Sequence, residues 1–591
     1  MLPGLTEAFL WQHASAEVVG RGQDYYASGA VTSVVQRGRE IQAQVEGSSF
    51  EPYQVRITFD DGGITEAGCS CPYDWGGWCK HVVAVLLTCL RDPDAVDERP
   101  SLDILLQDMS REQLIDVLRD LAAHDPDLTA RVELAWLQKQ AAYPNPSGKR
   151  KTAIDEKAVR RRVQATLHAL DSMRPSQAYW HVGEVVNEVR KELEQAQTFI
   201  EAGDGRNALR YLEAITDGYV DGWINLDDSD GEASGLFVDL APAWTEALLT
   251  ADLSADERAD WVEKLAAWQD EIEDYGIEDG FQVAVAAAEE GWDDPALRRV
   301  LEGGEITERG AWPDEAPWYA DELAEIRLKI LDRQGRHQEY LRLAEAEGQF
   351  ELYLTMLVRL GRTEEAVEKG LASITWVDGA SALARVLREQ GALEEALRVA
   401  KHGLTLEGRG KAILAAWLSE LAAGMGRLED AREAALVAFS EAPALDTYRR
   451  VQNLMGTDWP QYRERLLDQL RTRKAAPEAS VNIFLEEGMI DDAIVAVDRQ
   501  PAHYALVRRV AEAAAETRPE WVIRAAKQQA EPILDAGQSN AYHHAVDWLA
   551  LARAAYRRLG QEDECHTYLT SLKEQHGRKR KLMSLMNERR F

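Results

Sequence analysis

The sequence predicts a mostly α-helical protein: a small α+β module at the N-terminus, followed by a long array of helical repeats (an α-solenoid). Three observations carry this. Strand-like alternation of apolar and polar residues is confined to residues 41–69. Three cysteines and a histidine, Cys69, Cys71, Cys79 and His81, crowd the end of that stretch. Beyond it, a glycine–acid–alanine element recurs along sequence that is otherwise helical in period.

The chain has 591 residues, several times the roughly 100–200 of one domain. A single core does not grow to that size, so several domains or a repeat array are expected. The first thirty residues read as helical, with Gly29 as a stop. The period then changes to two. Ile41, Ala43 and Val45 alternate with Glu40, Gln42 and Gln44, and Tyr53, Val55, Ile57 and Phe59 alternate with Gln54, Arg56 and Thr58. That is the pattern of half-buried strands. Arg37-Gly38 and Asp60-Asp61-Gly62-Gly63 supply turn chemistry. A third run, Ile64 to Cys69, completes a small antiparallel meander and delivers the first cysteine at its end.

From His81 the apolar run Val82 to Leu87 reads as a helix. Pro93 to Pro100 reads as a linker, and Leu102 to Gln138 as two amphipathic helices broken near His124-Asp125-Pro126. A second linker, Tyr143 to Gly148, precedes an all-helical remainder. The expected divisions are the small α+β module at 1–95, a short helical connector at 96–142 and a helical repeat region at 149–591.

The recurring element appears at Gly361 to Ala366, Gly391 to Ala396, Gly426 to Ala431 and Gly488 to Ala493. The first three start 30 and 35 residues apart, and the next interval of 62 holds about two more units. Glycine suits a left-handed cap at the end of one helix, acids suit the positive start of the next, and alanine permits close packing. A spacing in the low thirties fits helix–turn–helix repeats and resembles tetratricopeptide-type repeats. The aromatic consensus positions of that family are poorly kept, so the array reads as a degenerate, TPR-like solenoid. Weaker echoes at Gly205-Arg206 and Gly335-Arg336 start it earlier.

The clustered cysteines point to a metal rather than a disulfide framework, which takes more cysteines, more widely spread. Zinc favours four soft or borderline ligands in a tetrahedron, and three cysteines with one histidine form a closed structural set. A Cys-x-Cys pair at a strand end aims both sulfurs one way, and a Cys-x-His pair where a loop enters a helix closes the other side. With Cys69, Cys71, Cys79 and His81 all used, no position is left for a catalytic water. One structural zinc contributes roughly 10–16 kcal/mol of apparent binding free energy, enough to hold a small module together.

The run Cys69-Ser70-Cys71-Pro72-Tyr73-Asp74-Trp75-Gly76-Gly77-Trp78-Cys79-Lys80-His81 after a β-meander, with an apolar helix following, resembles the SWIM zinc finger family. It is very similar to bacterial members. The resemblance covers about the first ninety residues and implies a zinc-binding module used in contacts with DNA or protein. A finger followed by a long helical region also resembles bacterial SWIM proteins.

Charge weighs against a nucleic-acid partner. The chain carries 67 basic and 102 acidic residues, a net charge of −35, and residues 1–90 hold 5 Lys/Arg against 10 Asp/Glu, a net −5. Phosphate contacts come mainly from Lys and Arg. Trp75, Trp78, Tyr73 and Lys80 are the finger residues able to meet an exposed base or a protein surface. Two basic clusters complete the candidate contacts: Lys149, Arg150, Lys151, Lys157, Arg160, Arg161 and Arg162, then Arg578, Lys579, Arg580 and Lys581 near the C-terminus, with Arg589 and Arg590 behind them.

Other patterns fail on register. With Gly231 at the sixth position of a calcium loop, Leu226 falls at the first, so Asp227, Asp228 and Asp230 read as an exposed acidic loop. Gly410-Lys411 lacks the glycine and hydroxyl of a phosphate loop, having Thr405 and Ala412 in their places. Cys89 reads as a core thiol, and Cys565-His566 and His543-His544 have no partner cluster. No catalytic constellation is found, so no enzymatic activity and no small-molecule substrate are expected. No apolar run reaches the roughly 18 residues of a membrane span, and Met1 to Ala14 lacks the pattern of a signal peptide. The expectation is therefore a cytoplasmic, zinc-binding scaffold with a protein partner. The alternative is an accessory of DNA repair or chromosome maintenance whose finger and basic clusters touch DNA.

Overall fold

The structure is a computed structural model. It describes residues 2–74, 76–125, 128–129, 132, 154–277, 280–307, 309–472 and 477–591. The chain divides into two compact units. One comprises Met1–Leu102, Ile374–Ala384 and Ala396–Phe591; the other comprises Asp103–Ser373 and Arg385–Glu395.

The first unit opens with α1 (Glu7–His13) and α2 (Ala16–Ala27), whose N-termini are capped by the side chains of Thr6 and Ser15. These oxygens satisfy amides that have no partner within the helix. α2 ends as the sequence predicts. Gly29 takes φ +72°, and the Ala30 N–H reaches back to the Tyr25 carbonyl, the six-residue closure that a left-handed cap permits.

A five-stranded sheet follows: β1 (Val31–Arg37), β2 (Glu40–Val45), β3 (Tyr53–Asp60), β4 (Gly63–Cys69) and β5 (Asp97–Arg99), in the order β4-β3-β2-β1-β5. β1 to β4 form an antiparallel meander, and β5 lies parallel to β1. Ile41 pairs with Ile57 and Ala43 with Val55, so the predicted alternation puts one apolar set on one face. Against that face lies α3 (Lys80–Arg91), which buries Val82, Val83, Val85, Leu86 and Leu87. Two strands go beyond the sequence reading. β1 buries only Val34 and gives little alternation to detect. β5 falls in the stretch read as a linker: all three of its residues are exposed and its pairing is made by backbone alone. Such a short, charged strand suits a sheet edge.

The rest of this unit is helical. Helix Lys411–Gly424 packs on Leu428–Glu441, Pro477–Glu486 on Ile490–Asp498, and Pro519–Asp535 on Tyr542–Arg558. Their core gathers Phe439, Tyr448, Phe484 and Trp548.

The second unit begins with α4, whose helix spans Leu102–Gln107, and α5 (Arg111–His124). Neither buries a residue, and Leu118 and Leu121 of α5 are exposed. The second amphipathic helix predicted before Gln138 lies almost wholly outside the described residues. From Glu156–Leu167 to Thr363–Ser373 the unit is built of packed helices around Tyr219, Phe237, Trp244 and Phe281. Buried charges there are paired: Arg327 with Glu290 at 2.9 Å, and Glu246 with Lys329 at 2.7 Å and Arg333 at 2.5 Å.

The recurring glycine works as predicted in both units. Gly361, Gly391, Gly426 and Gly488 have φ of +74°, +77°, +73° and +69°, and the residue after each donates back to a carbonyl of the preceding helix. The acids that follow occupy the first turns of helices Thr363–Ser373, Leu393–Gly403, Leu428–Glu441 and Ile490–Asp498. Ala366, Ala396, Ala431 and Ala493 are fully buried. The echo at Gly335 has the same cap. The echo at Gly205 is displaced: the left-handed residue is Gly203. Gly205 lies inside its helix, where a Cβ would come within 2.4 Å of the Ala251 nitrogen.

Candidate metal centre

The four predicted ligands converge. Cys69 ends β4, opposite Val55 of β3. The ladder runs on one residue further, because Ser70 N–H donates to the Gln54 carbonyl and Gln54 N–H to Ser70 Oγ, both at 2.9 Å. Ser70 is thus pinned to the sheet, with one cysteine on each side of it. Cys79 is the N-cap of α3, and His81 is the helix's second residue, 3% exposed. One ligand atom from each of Cys69, Cys71, Cys79 and His81 lies within 4.8 Å of the others, and among the described residues this is the cluster of metal-ligating groups.

The geometry fits zinc. His81 Nδ1 is 3.6 Å from Cys69 Sγ and 3.8 Å from Cys79 Sγ. A tetrahedron with ordinary zinc–sulfur and zinc–nitrogen bonds has N···S edges of about 3.6 Å. Nδ1 is therefore the ligating nitrogen. The ring is held by Tyr53, stacked at 4.5 Å, and by the edge of Tyr25 at 5.3 Å.

Electrostatics point the same way. The thiol of Cys79 is drawn down to about 3, first by a hydrogen bond from Cys69 and then, against the cost of burial, by His81 and the Val82 amide at the start of α3. Cys69 is pushed far above the usual thiol range by the same hydrogen bond and by burial, and burial raises Cys71. Three sulfurs this close resist ionising together without a cation, and a bound dication lets all three ionise. Cys89, by contrast, is a buried thiol of α3 pushed up to about 11 by desolvation, the core role read from the sequence.

Comparison with known proteins agrees with this geometry. The SWIM zinc finger family matches residues 53–90. Those residues are a SWIM zinc finger. The finger's four ligands suit one zinc ion. The zinc finger SWIM domain-containing protein 8 homolog of Drosophila melanogaster is 32% identical over 103 residues, which is 17% of this chain and 5% of that protein. The chain thus spans a small fraction of the length of this curated relative. Two solved structures are similar over long stretches. The TPR domain of P58(IPK) is 14% identical with a TM-score of 0.15, covering 68% of this chain and 97% of that one. Naa15/Naa10 bound to HypK-THB is 13% identical with a TM-score of 0.21, covering 73% and 80%. The helical array is defined by the pairing of its own helices.

The candidate contact residues are placed as follows. Trp78 is half-buried, its ring stacked on His13 at 4.4 Å and meeting Phe9 at 5.6 Å. Lys80 donates to the Tyr25 hydroxyl at 2.7 Å and lies over that ring at 4.3 Å. Trp75, Lys149, Arg150 and Lys151 lie outside the described residues. Arg160 pairs with Asp221 at 2.6 Å, and Arg162 with Glu192 at 2.7 Å. Arg161 is exposed and donates to the Lys157 carbonyl at 3.1 Å. Lys579 donates to the Leu534 carbonyl. Arg578, Arg580 and Lys581 are exposed, and Arg589 pairs with Asp547 at 2.8 Å.

In the acidic loop, Asp228 Oδ1 accepts from the Ala233 and Ser234 amides and Asp227 from Ser229, so these carboxylates hold turns. Sequence reasoning missed the packing partners of the site. Tyr53 could have been found from its place in the alternating strand. Phe9 and His13 carry no signal that links them to Trp78.

Proposed function

We propose that this protein is a non-enzymatic scaffold: a SWIM finger, stapled by one zinc, joined to a helical repeat surface that receives a protein partner in the cytoplasm. The finger module is placed at 1–95, a helical connector at 96–142 and the receiving surface within 149–591. The observation that supports a structural zinc most directly is the closed ligand set of Cys69, Cys71, Cys79 and His81, which leaves no coordination site for substrate or water. Among the described residues no helix is long and apolar enough to cross a membrane.

The chemistry of the surface narrows the partner. A net charge of −35 favours a protein with a basic face and disfavours a polyanion. Exposed aromatics anchor protein contacts best, and in the second unit Trp180 and Trp318 are 78% and 62% exposed. Arg161, Arg578, Arg580 and Lys581 are the candidate basic contacts. The test is partner capture by the full chain followed by quantitative binding. Alanine at Trp180 or Trp318 is expected to weaken the complex by about 2 kcal/mol, roughly thirtyfold. Unchanged affinity in both tryptophan variants would contradict the assigned surface.

A further inference from the structure

Within the first unit, the finger rests on the repeat helices through backbone as well as side chains. A Cβ on Gly424 would come within 2.0 Å of the Gly62 carbonyl in the β3–β4 turn, and Gly424 Cα is 3.3 Å from the corresponding position of Gly4. So close an approach of three glycines admits no side chain at 424. Beside it, Arg450 donates to Gln12 of α1 at 3.0 Å while its other nitrogens bond Ser419 Oγ and the Ser419 carbonyl at 3.1 and 2.8 Å. Burial lowers the Arg450 guanidinium, opposed by Glu420, so each acceptor that it meets offsets desolvation. His13 Nε2 stands 3.2 Å from Glu420 Oε1. The two atoms make no hydrogen bond, so any attraction between them is electrostatic.

The same His13 is tied to the zinc loop. Its carbonyl accepts from Trp78 N–H at 2.8 Å, and its ring carries the Trp78 ring. Gly77, at φ +70°, passes so near that a Cβ would lie 2.6 Å from the His13 carbonyl oxygen. Trp78 directly precedes the ligand Cys79. The connection from ligand to array is therefore short: Cys79, Trp78, His13, Glu420.

We propose that the finger is a zinc-dependent clamp whose docking partner is the chain's own array. With zinc bound, the loop fixes Trp78 and His13. That holds α1 and the β3–β4 turn over Ser419, Glu420, Gly424 and Arg450. Loss of zinc frees the loop, releases α1 and uncovers this part of the helices Lys411–Gly424 and Leu445–Met455. The finger thus reads metal supply and turns it into exposure of a repeat surface. This goes beyond the scaffold reading, which needs only that the zinc be structural.

Hydrogen exchange followed by mass spectrometry on the full chain tests it, comparing zinc-loaded, chelator-treated and Gly424→Leu forms. Chelation is expected to speed exchange on the order of tenfold in α1 and around Ser419 to Gly424 and Arg450, and to leave Tyr542–Arg558 unchanged. Gly424→Leu should speed exchange in α1 while the protein keeps its zinc. Glu420→Ala, which introduces no clash, should act in the same direction more weakly. Chelation that loosens β2 and β3 but leaves the two array helices protected would overturn the clamp. So would a Gly424→Leu protein whose α1 exchanges as in the unaltered chain.

Discussion

The ring of Trp78 lies on the ring of His13, 4.4 Å away and inclined by 20°, and the Trp78 N–H donates to the His13 carbonyl at 2.8 Å. The aromatic residue next to a zinc ligand is thus used inside the module. Trp78→Ala removes that stack and the Phe9 edge contact. With the side chain half-buried, a loss of about 2 kcal/mol is expected, below the range for a fully buried aromatic. Denaturant titration followed by exchange of α1 and α3 measures it, and zinc content should stay unchanged because the four ligands are intact.

Lys80 is engaged by Tyr25, Arg160 and Arg162 by carboxylates, and the whole chain bears −35. Labelled single- and double-stranded DNA, titrated across a salt series, should therefore show no sub-micromolar binding near physiological salt. Tight binding that weakens steeply with salt would instead mean that several phosphates are contacted.

Gly361 has φ +74° with nothing within 4 Å of its Cβ position, so substitution there strains backbone alone. Gly361→Ala should destabilise by about 1 kcal/mol, and Gly361→Asn by less, because asparagine tolerates the left-handed region. Exchange protection at the end of helix Phe350–Arg359 reports the difference. Equal stability of all three proteins would remove the cap from the account of the repeats.

Glu257 caps helix Ala255–Glu273. It accepts from Arg206 at 2.6 Å and from the Ser254 amide at 2.8 Å. Arg206 first, then Ser254, hold its carboxyl down at about 2, against an ordinary 4.5. A carboxyl lowered by folding stabilises fully above its unfolded value and loses that contribution as pH falls through the folded one. The stability difference between the unaltered chain and Glu257→Gln should be constant above about pH 5, shrink below it and vanish near about pH 2. A difference that grows on acidification would contradict the contact.

Local physics was legible in the sequence; contacts between distant segments were not. Ile41, Ala43, Val55 and Ile57 announce β2 and β3 because their alternation matches the pleat. Cys69, Cys71, Cys79 and His81 announce zinc because donor type and spacing leave few other uses. Gly426 with Ala431 announces a helix turn because only a left-handed cap and close packing need both. β5 stayed hidden because Asp97, Glu98 and Arg99 pair through backbone, which leaves no side-chain pattern. The Gly203 cap was misplaced to Gly205 because a buried helical glycine and a capping one look alike in sequence. His13 with Glu420, and Gly62 with Gly424, are joined by tertiary packing across hundreds of residues, and no period records that.

The claim on which the rest depends is that one zinc holds the finger together. Its most direct test is metal analysis of the purified full chain and of Cys79→Ser, with exchange of β2 and β3 measured on both. About one zinc per chain is expected, lost in Cys79→Ser together with protection of β2 and β3, while Tyr542–Arg558 stays protected. A metal-free chain with a protected finger, or a Cys79→Ser protein whose β2 and β3 exchange no faster, would contradict the account.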